Sequence, residues 1–360
     1  MKVGIVGMPN AGKSSLFNAL TGAGAEAANY PFTTIEPNVA VVPVADERLE
    51  RVAATIRASP VVPDTILFHD IAGLVAGAHR GEGLGNRFLS HIREVDAVVH
   101  VVRAHGDASV VHPEGDVDPL RDAETIETEL VYADLEQAER RMERVVRTAR
   151  GGEQAAVAEE AWLRELIGAL QAGRPARVVP APADAPHAQR DLGSLTAKPV
   201  LFVANVDEGS DEVPAALAEH AASVGAGVVA VSSRLEAELA ALDPEDAAEM
   251  RADLGVPEEP GLRRVVDGAF ALLHQIAFFT AGEDKPAQSW HIRQGRTAWD
   301  AAGAIHSDIQ RGFVRAEVIA WDALVQAGGY GAARERGTLR LEGRQYVVAD
   351  GDVITVKFTP

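Results

Sequence analysis

The sequence predicts a doubly wound α/β domain that carries an inserted helical hairpin and is followed by a small β-grasp-like α+β domain. Three observations support this. Short Val/Ile-rich runs alternate with helical stretches, a long segment of helical period interrupts them, and short strands joined by turns close the chain. The apolar runs are 2–6, 39–44, 65–70, 97–103, 199–204 and 227–231. Continuous runs of this length suit parallel strands covered on both faces by crossover helices.

The interruption falls between the fourth and fifth runs. Leu135, Ala138, Met142, Val145 and Ala149 recur at helical spacing, Gly151-Gly152 breaks the pattern, and Trp162, Leu163, Leu166, Ile167 and Leu170 resume it. This pattern predicts an antiparallel, coiled-coil-like hairpin. A connector containing Pro175, Pro180, Pro182 and Pro186 leads back. Beyond Pro260 the pattern predicts a helix over 263–275, an extended segment at 289–293, a helix over 297–308 and an extended segment at 313–321. Short strands follow at 339–342, 345–348 and 353–358. The expected division is therefore 1–121 with 198–275 as one domain, 122–197 as the insertion and 276–360 as the last domain.

Of the 360 residues, 47% are hydrophobic and 24% charged, a globular composition that excludes a disordered chain. Cysteine is absent, which excludes disulfides, thiolate metal sites and cysteine nucleophiles. No apolar run approaches the roughly 18 residues of a membrane span. Met1 leads directly into a strand, so no secretory leader and no membrane partner are expected, and the location is expected to be cytoplasmic. The net charge of -19 opposes indiscriminate nucleic-acid binding.

Gly7-Met8-Pro9-Asn10-Ala11-Gly12-Lys13-Ser14 fits G-x-x-x-x-G-K-S and lies between a strand and a helix, as the motif requires. Gly7 and Gly12 let the backbone fold around phosphate oxygens, and N–H groups at the helix start point at the anion. Lys13 is placed to meet the β- and γ-phosphates, and the Ser14 hydroxyl to ligate Mg²⁺. Asp70-Ile71-Ala72-Gly73 follows the apolar part of the third run, and an aspartate at such a strand end can orient a magnesium-bound water. Thr33 and Thr34 fall where a switch loop would reach the metal. Asn205-Val206-Asp207-Glu208 follows the fifth run, at the position of the guanine-reading N-K-x-D. With Glu208 in place of the clamping aspartate and Val206 in place of the lysine, guanine preference should be lost, because mismatched buried polar groups go unpaired.

These segments resemble the Obg-like ATPases, the YchF subfamily of translation-factor-class P-loop NTPases. The likeness runs through the phosphate loop, Asn29–Pro37 as N-Y-P-F-T-T-I-E-P, Asp70–Val75, Gly81–Asn86, Asn205–Glu208 and Val231-Ser232-Ser233. Toward the C-terminus, Phe279–Glu283, Gly312–Val318 and Asp350–Val353 look like that family's TGS domain. The resemblance implies ATP preferred over GTP, slow hydrolysis, and association with the ribosome or its large subunit. By position it places Asn10, Ala11, Gly12, Lys13, Ser14 and Ser15 on the phosphates and Ser14 and Thr34 at Mg²⁺, to which the reading of the residues adds Asp70. It also puts Asn205 and Val206 at the base, with Ser232 at its far edge, and the N-x-x-E spacing adds Glu208 beside them.

Leu74 stands where Ras-like GTPases carry the glutamine that orients water, and it has no hydrogen-bonding group. The resemblance points instead to His112, whose imidazole could orient water or take a proton. From the residues alone His112 reads equally well as a surface loop residue, with His69, His79 and His105 as competitors. Arg140, Arg144 and Arg147 could meet ribosomal RNA together with the TGS domain, or pair with Glu136 and Glu143 on a solvated helix face. The leading expectation is an ATP-hydrolysing switch. A nucleotide-gated scaffold with incidental hydrolysis and a GTP-preferring switch are the alternatives, and a small-molecule kinase is disfavoured by the order of the motifs.

Overall fold

The computed structural model describes residues 1–23, 38–71, 84–107, 109–257 and 259–359, with the side chains at 23, 84–87 and 244 left aside. Two compact units form: Met1–Val42 with Leu67–Leu272, and Pro43–Ile66 with Leu273–Pro360.

In chain order the elements begin with β1 (Lys2–Val6), α1 (Lys13–Ala23), β2 (Val39–Pro43), α2 (Glu47–Ile56), β3 (Val61–Val62), β4 (Thr65–Asp70), α3 (Leu84–Glu94) and β5 (Ala97–Arg103). The long helices α4 (Pro119–Ala149) and α5 (Gln154–Gln171) follow, then α6 (Ala188–Leu192). Next come β6 (Val200–Asn205), α7 (Ala215–Ser223), β7 (Gly227–Val231), α8 (Ser233–Leu239), α9 (Pro244–Asp253) and α10 (Gly261–Leu272). The last stretch holds β8 (Gln275–Thr280), β9 (Ala287–Arg293), α11 (Ala298–Ile305), α12 (Ser307–Arg311) and β10 (Phe313–Ala320). It ends with α13 (Trp321–Ala327), α14 (Tyr330–Glu335), β11 (Arg340–Glu342) and β12 (Asp352–Phe358).

The larger unit holds a sheet in the order β2-β4-β1-β5-β6-β7, in which β4, β1, β5, β6 and β7 run parallel to one another. Strand β2, expected to be parallel, runs antiparallel to β4, with Asn38 hydrogen-bonded to Asp70 and Val44 to Asp64. Every residue of β5 is buried, His100 and Arg103 included, as a strand covered on both faces requires. The strand order reverses at β1, with β4 on one side and β5 on the other. The carboxyl end of β1 is thus a topological switch point, where open α/β sheets bind ligands.

Asp118 caps α4 by accepting from the Arg121 N–H, and Pro119 occupies the first turn. The first half of α4 packs Ala123, Ile126 and Leu130 against sheet residues including Val98 and Phe202. Its second half meets α5 through Ala138, Val145, Leu163 and Leu166, as the helical spacing predicts. One continuous helix, α4, thus belongs to both cores. Asp134 secures the returning chain: its buried carboxylate accepts from Leu195 N (2.7 Å), Thr196 N (2.8 Å) and Thr196 Oγ1 (2.6 Å).

The smaller unit holds a second sheet in the order β11-β10-β12-β8-β9-β3. Segment 43–66, assigned from the sequence to the nucleotide-binding domain, groups here instead. The apolar face of α2 (Leu49, Val52, Ala53 and Ile56) shares a core with Phe279, Ile319, Leu324 and Val353. Arg48 ties that helix to Asp350 at 2.7 Å, and the Asp64 carboxylate accepts from His291 Nδ1 at 2.9 Å. Two further expectations are corrected. The helix expected over 263–275 ends at Leu272, and Gln275 opens β8, which the sequence analysis did not identify. Residues 345–348 form no strand; Val347 makes one isolated bridge to Thr297.

His100, in the middle of β5, lies with its ring 5.2 Å from that of Phe202. Burial first, then the positive charges of Lys13 and His220, push its pKa down to about 3. The unfolded chain takes up a proton near pH 6.5 that the folded chain refuses, so acidification below that point favours unfolding. Denaturant titrations should show His100→Phe gaining on the parent by about 1.4 kcal/mol per pH unit between roughly pH 6 and pH 4. A pH-independent difference would show that His100 is protonated in the fold.

Candidate functional site

The loop 7–12 carries the chain from β1 into α1 at the switch point. A Cβ on Gly7 would lie 2.3 Å from the Val101 carbonyl oxygen, so only glycine lets the loop leave β1 so close to β5. Asn10 (φ 64°) and Gly12 (φ 98°) both adopt left-handed backbone, which bends the loop into a concave turn. A Cβ on Gly12 would fall 2.1 Å from Asn205 Nδ2. That closeness is functional, because Asn205 Nδ2 donates to the Ala11 carbonyl at 3.0 Å while its Oδ1 accepts from Ser233 N at 2.9 Å. One buried amide thus fastens the phosphate loop to the start of α8.

A cleft of about 650 Å³ opens beside this loop. Asn10, Gly12, Lys13, Ser14 and Ser15 line one side. Asn205, Val206, Asp207 and Glu208 line another, with Ser232 and Arg234 beyond them. Ala11, within the loop, has a buried side chain, and its carbonyl takes the Asn205 hydrogen bond. The phosphate-loop residues and the N-x-x-E segment, 192 residues apart from Lys13 to Asn205, therefore meet at one site. Asp70 ends β4 in register with Ile5 of β1, and Lys13 and Asp70 sense each other's charge. Burial pushes the Lys13 pKa down and the Asp70 pKa up, and each charge partly offsets the effect on the other. The Lys13 ammonium donates to the Met8 carbonyl at 2.8 Å, which bends it back over the loop. Thr34, Gly73, Leu74 and His79 lie outside the described residues.

Residues that the sequence analysis did not single out complete the walls. The guanidinium of Arg103, at the end of β5, is buried and donates to the carbonyls of Val110 (2.8 Å) and Asp107 (2.7 Å). It fixes the turn that brings His105, Asp107 and Val110 to the cleft. The signal for it was a lone arginine ending a buried strand that is apolar except for His100. Arg234 Nε lies 3.5 Å from Glu208 and 3.2 Å from Glu238, so the Glu208 carboxylate already faces a cation. Asp207 accepts from Gly106 N at 3.3 Å, which joins the two cleft walls.

His112 is not among the described cleft-lining residues. Its side chain is 3% exposed and points at α4, where Nε2 lies 2.7 Å from Asp122 Oδ2. Its chain neighbour Val111 stays close to the loop, accepting from Asn10 Nδ2 at 3.0 Å. On the hairpin, Arg140 pairs with Glu136 at 3.0 Å, while Arg144 and Arg147 are exposed.

Two family patterns match the chain: one described as a 50S ribosome-binding GTPase over residues 2–140, and the C-terminal domain of YchF GTPases, described as a protein of unknown function, over 275–359. Proteins called ribosome-binding ATPase YchF are 45% identical in Bacillus subtilis and 47% identical in Haemophilus influenzae, each covering 99% of both chains. The chain belongs to the YchF family. The solved YchF GTPase of Schizosaccharomyces pombe superposes with a TM-score of 0.87 at 35% identity, over 99% of this chain and 97% of that one. A GTP-binding protein of Pyrococcus horikoshii, 22% identical with a TM-score of 0.65, shares the fold. The family is thus a P-loop nucleotide-hydrolase family, and this YchF chain carries its phosphate loop intact.

Gly12→Ala should leave the fold standing but lower nucleotide affinity about a hundredfold or more. The added methyl displaces Asn205 and forces alanine into left-handed backbone. Calorimetric titration of the variant with ATP measures this directly; parental affinity would mean that the loop is not held by the Asn205 amide.

Proposed function

We propose that this YchF protein is a magnesium-dependent ATPase that switches its association with the ribosome according to the bound nucleotide. The observation that carries the choice of base is the Glu208 carboxylate facing Arg234. Guanine recognition needs an acceptor pair free to take the N1 and exocyclic N–H groups, and a carboxylate already drawn to a guanidinium serves that poorly. The relatives' name, ribosome-binding ATPase, agrees with this reading. The fission-yeast neighbour is titled a GTPase, which makes the base preference the property to measure first.

In this reading the backbone N–H groups of 10–15 and the Lys13 ammonium hold the phosphates. The hydroxyl of Ser14 and the carboxylate of Asp70 are hard oxygen donors that suit magnesium, with Thr34 as a third. Asp70 fits such a role because its burial disfavours the lone charge that a cation would balance. When bound, magnesium supplies charge neutralisation on the terminal phosphates. Asn205, Val206 and Ser232 border the base, Asn205 through the loop it anchors. His112 acts as the base toward the attacking water, since Leu74 offers no hydrogen-bonding group there. Arg144 and Arg147, with Arg140 at the same face and the C-terminal unit, supply contacts to ribosomal RNA phosphates.

ATP should bind at least about tenfold more tightly than GTP, a margin of about 1.4 kcal/mol; a titration favouring GTP overturns the base assignment. His112→Ala should slow single-turnover ATP hydrolysis by about tenfold or more while leaving ATP affinity within about twofold. An unaltered rate removes His112 from the chemistry. Co-sedimentation with ribosomes should differ between ADP and a non-hydrolysable ATP analogue, and equal occupancy would favour a scaffold without a switch.

A further inference from the structure

Both ring nitrogens of His112 are engaged inside the fold. Nδ1 accepts from the Glu114 N–H at 3.1 Å, so the single hydrogen of the imidazole sits on Nε2 and is donated to Asp122 Oδ2 at 2.7 Å. Both side chains are 3% exposed. In this pose the imidazole has no lone pair free for a proton from water, and it faces α4 rather than the cleft. The backbone beside it is held near the phosphates through the Asn10–Val111 hydrogen bond, so the ring and not the loop is what lies on the wrong side.

We infer that Asp122 is a positioning residue that sequesters His112, and that ATP hydrolysis proceeds only when the imidazole leaves this carboxylate for the cleft. The inference rests on His112 being the base. A charge-assisted hydrogen bond from an imidazole to a buried carboxylate is roughly twice as strong as a neutral one, so the sequestered state is favoured. Departure of the ring is costly because Asp122 would lose its bonded partner. Its Oδ1 has no hydrogen bond among the described residues, and the cation nearest to it, Arg121, stands at 3.8 Å. The state without the ring is still reachable: Asp122 lies in the first turn of α4, where the helix dipole favours a carboxylate, and burial already pushes its pKa up, so that it can take a proton once the ring has left. Arg121 is its immediate chain neighbour, and the nearby acids Asp116 and Asp118 compete for that guanidinium. The slow hydrolysis expected of this family would then come partly from a base that is present but turned away.

The test combines kinetics with a direct view of the ring. Asp122→Asn keeps shape but removes the charge, and should raise the single-turnover rate about three- to tenfold at unchanged ATP affinity. His112→Ala combined with Asp122→Asn should hydrolyse no faster than His112→Ala alone. In the unsubstituted full-length protein with ADP, ¹⁵N-resolved NMR should show His112 protonated on Nε2 with slow solvent exchange. That protection should fall with magnesium and a non-hydrolysable ATP analogue. Asp122→Asn at the parental rate or slower, in a background where His112→Ala is slow, overturns the sequestration and leaves the base assignment intact. His112→Ala at the parental rate removes both. An Nε2–H that exchanges rapidly with ADP bound also overturns the proposal, whatever the variants do.

Discussion

The side-chain amide of Asn205 is the connection on which the site depends. It gives a hydrogen bond to Ala11 in the phosphate loop and takes one from Ser233 at the opening of α8, so two segments far apart in sequence share one fixed spacing. A loop rich in left-handed backbone has little stiffness of its own. Its shape is maintained by what it leans on: the Val101 carbonyl on the β5 side and this amide on the other. A side chain expected to touch the base thus serves first as a brace for the phosphate end. Val206 and Glu208 follow within three residues, so the same amide also fixes where that wall of the cleft begins.

Electrostatics at the site run against those of the chain as a whole. A protein with a net charge of -19 must still bring a polyanion to its phosphate loop. It does so with local positive character: main-chain N–H groups, the Lys13 ammonium, Arg103 within the neighbouring turn and Arg234 across the cleft. Such short-range donors matter more to a bound anion than distant surface acids, which solvent and salt screen within about 10 Å.

Much of this was legible in the sequence because the signals are local. Strands 97–103 and 227–231 are legible from their Val-rich apolar runs, and the turn between α4 and α5 from Gly151-Gly152 flanked by helical spacing. The phosphate loop was legible because its eight residues are contiguous. What escaped was decided by partners distant in sequence. Helix α2 is amphipathic wherever it packs, and only contact with Phe279 and Val353 shows which core it joins. The apolar stretch around residue 275 satisfies both helical and strand periods, and pairing with β9 decides for strand. Arg103, Arg234 and Asp122 carry no motif; their roles arise from carbonyls, acids and an imidazole that the fold brings to them.

The course of β2 and β4 bears on how this protein can evolve or be dissected. Both strands cross from one compact unit to the other, so the smaller unit is assembled from two separated stretches of chain. A single break after Leu272 would therefore release an incomplete body. The released piece would lack α2, whose four buried apolar residues complete the core around Phe279, and the edge strand β3 beside β9. Such a piece would expose apolar surface and favour aggregation over independent folding. Recombination could not transplant the C-terminal portion as a ready-made cassette; it would have to carry the β2–β4 excursion with it.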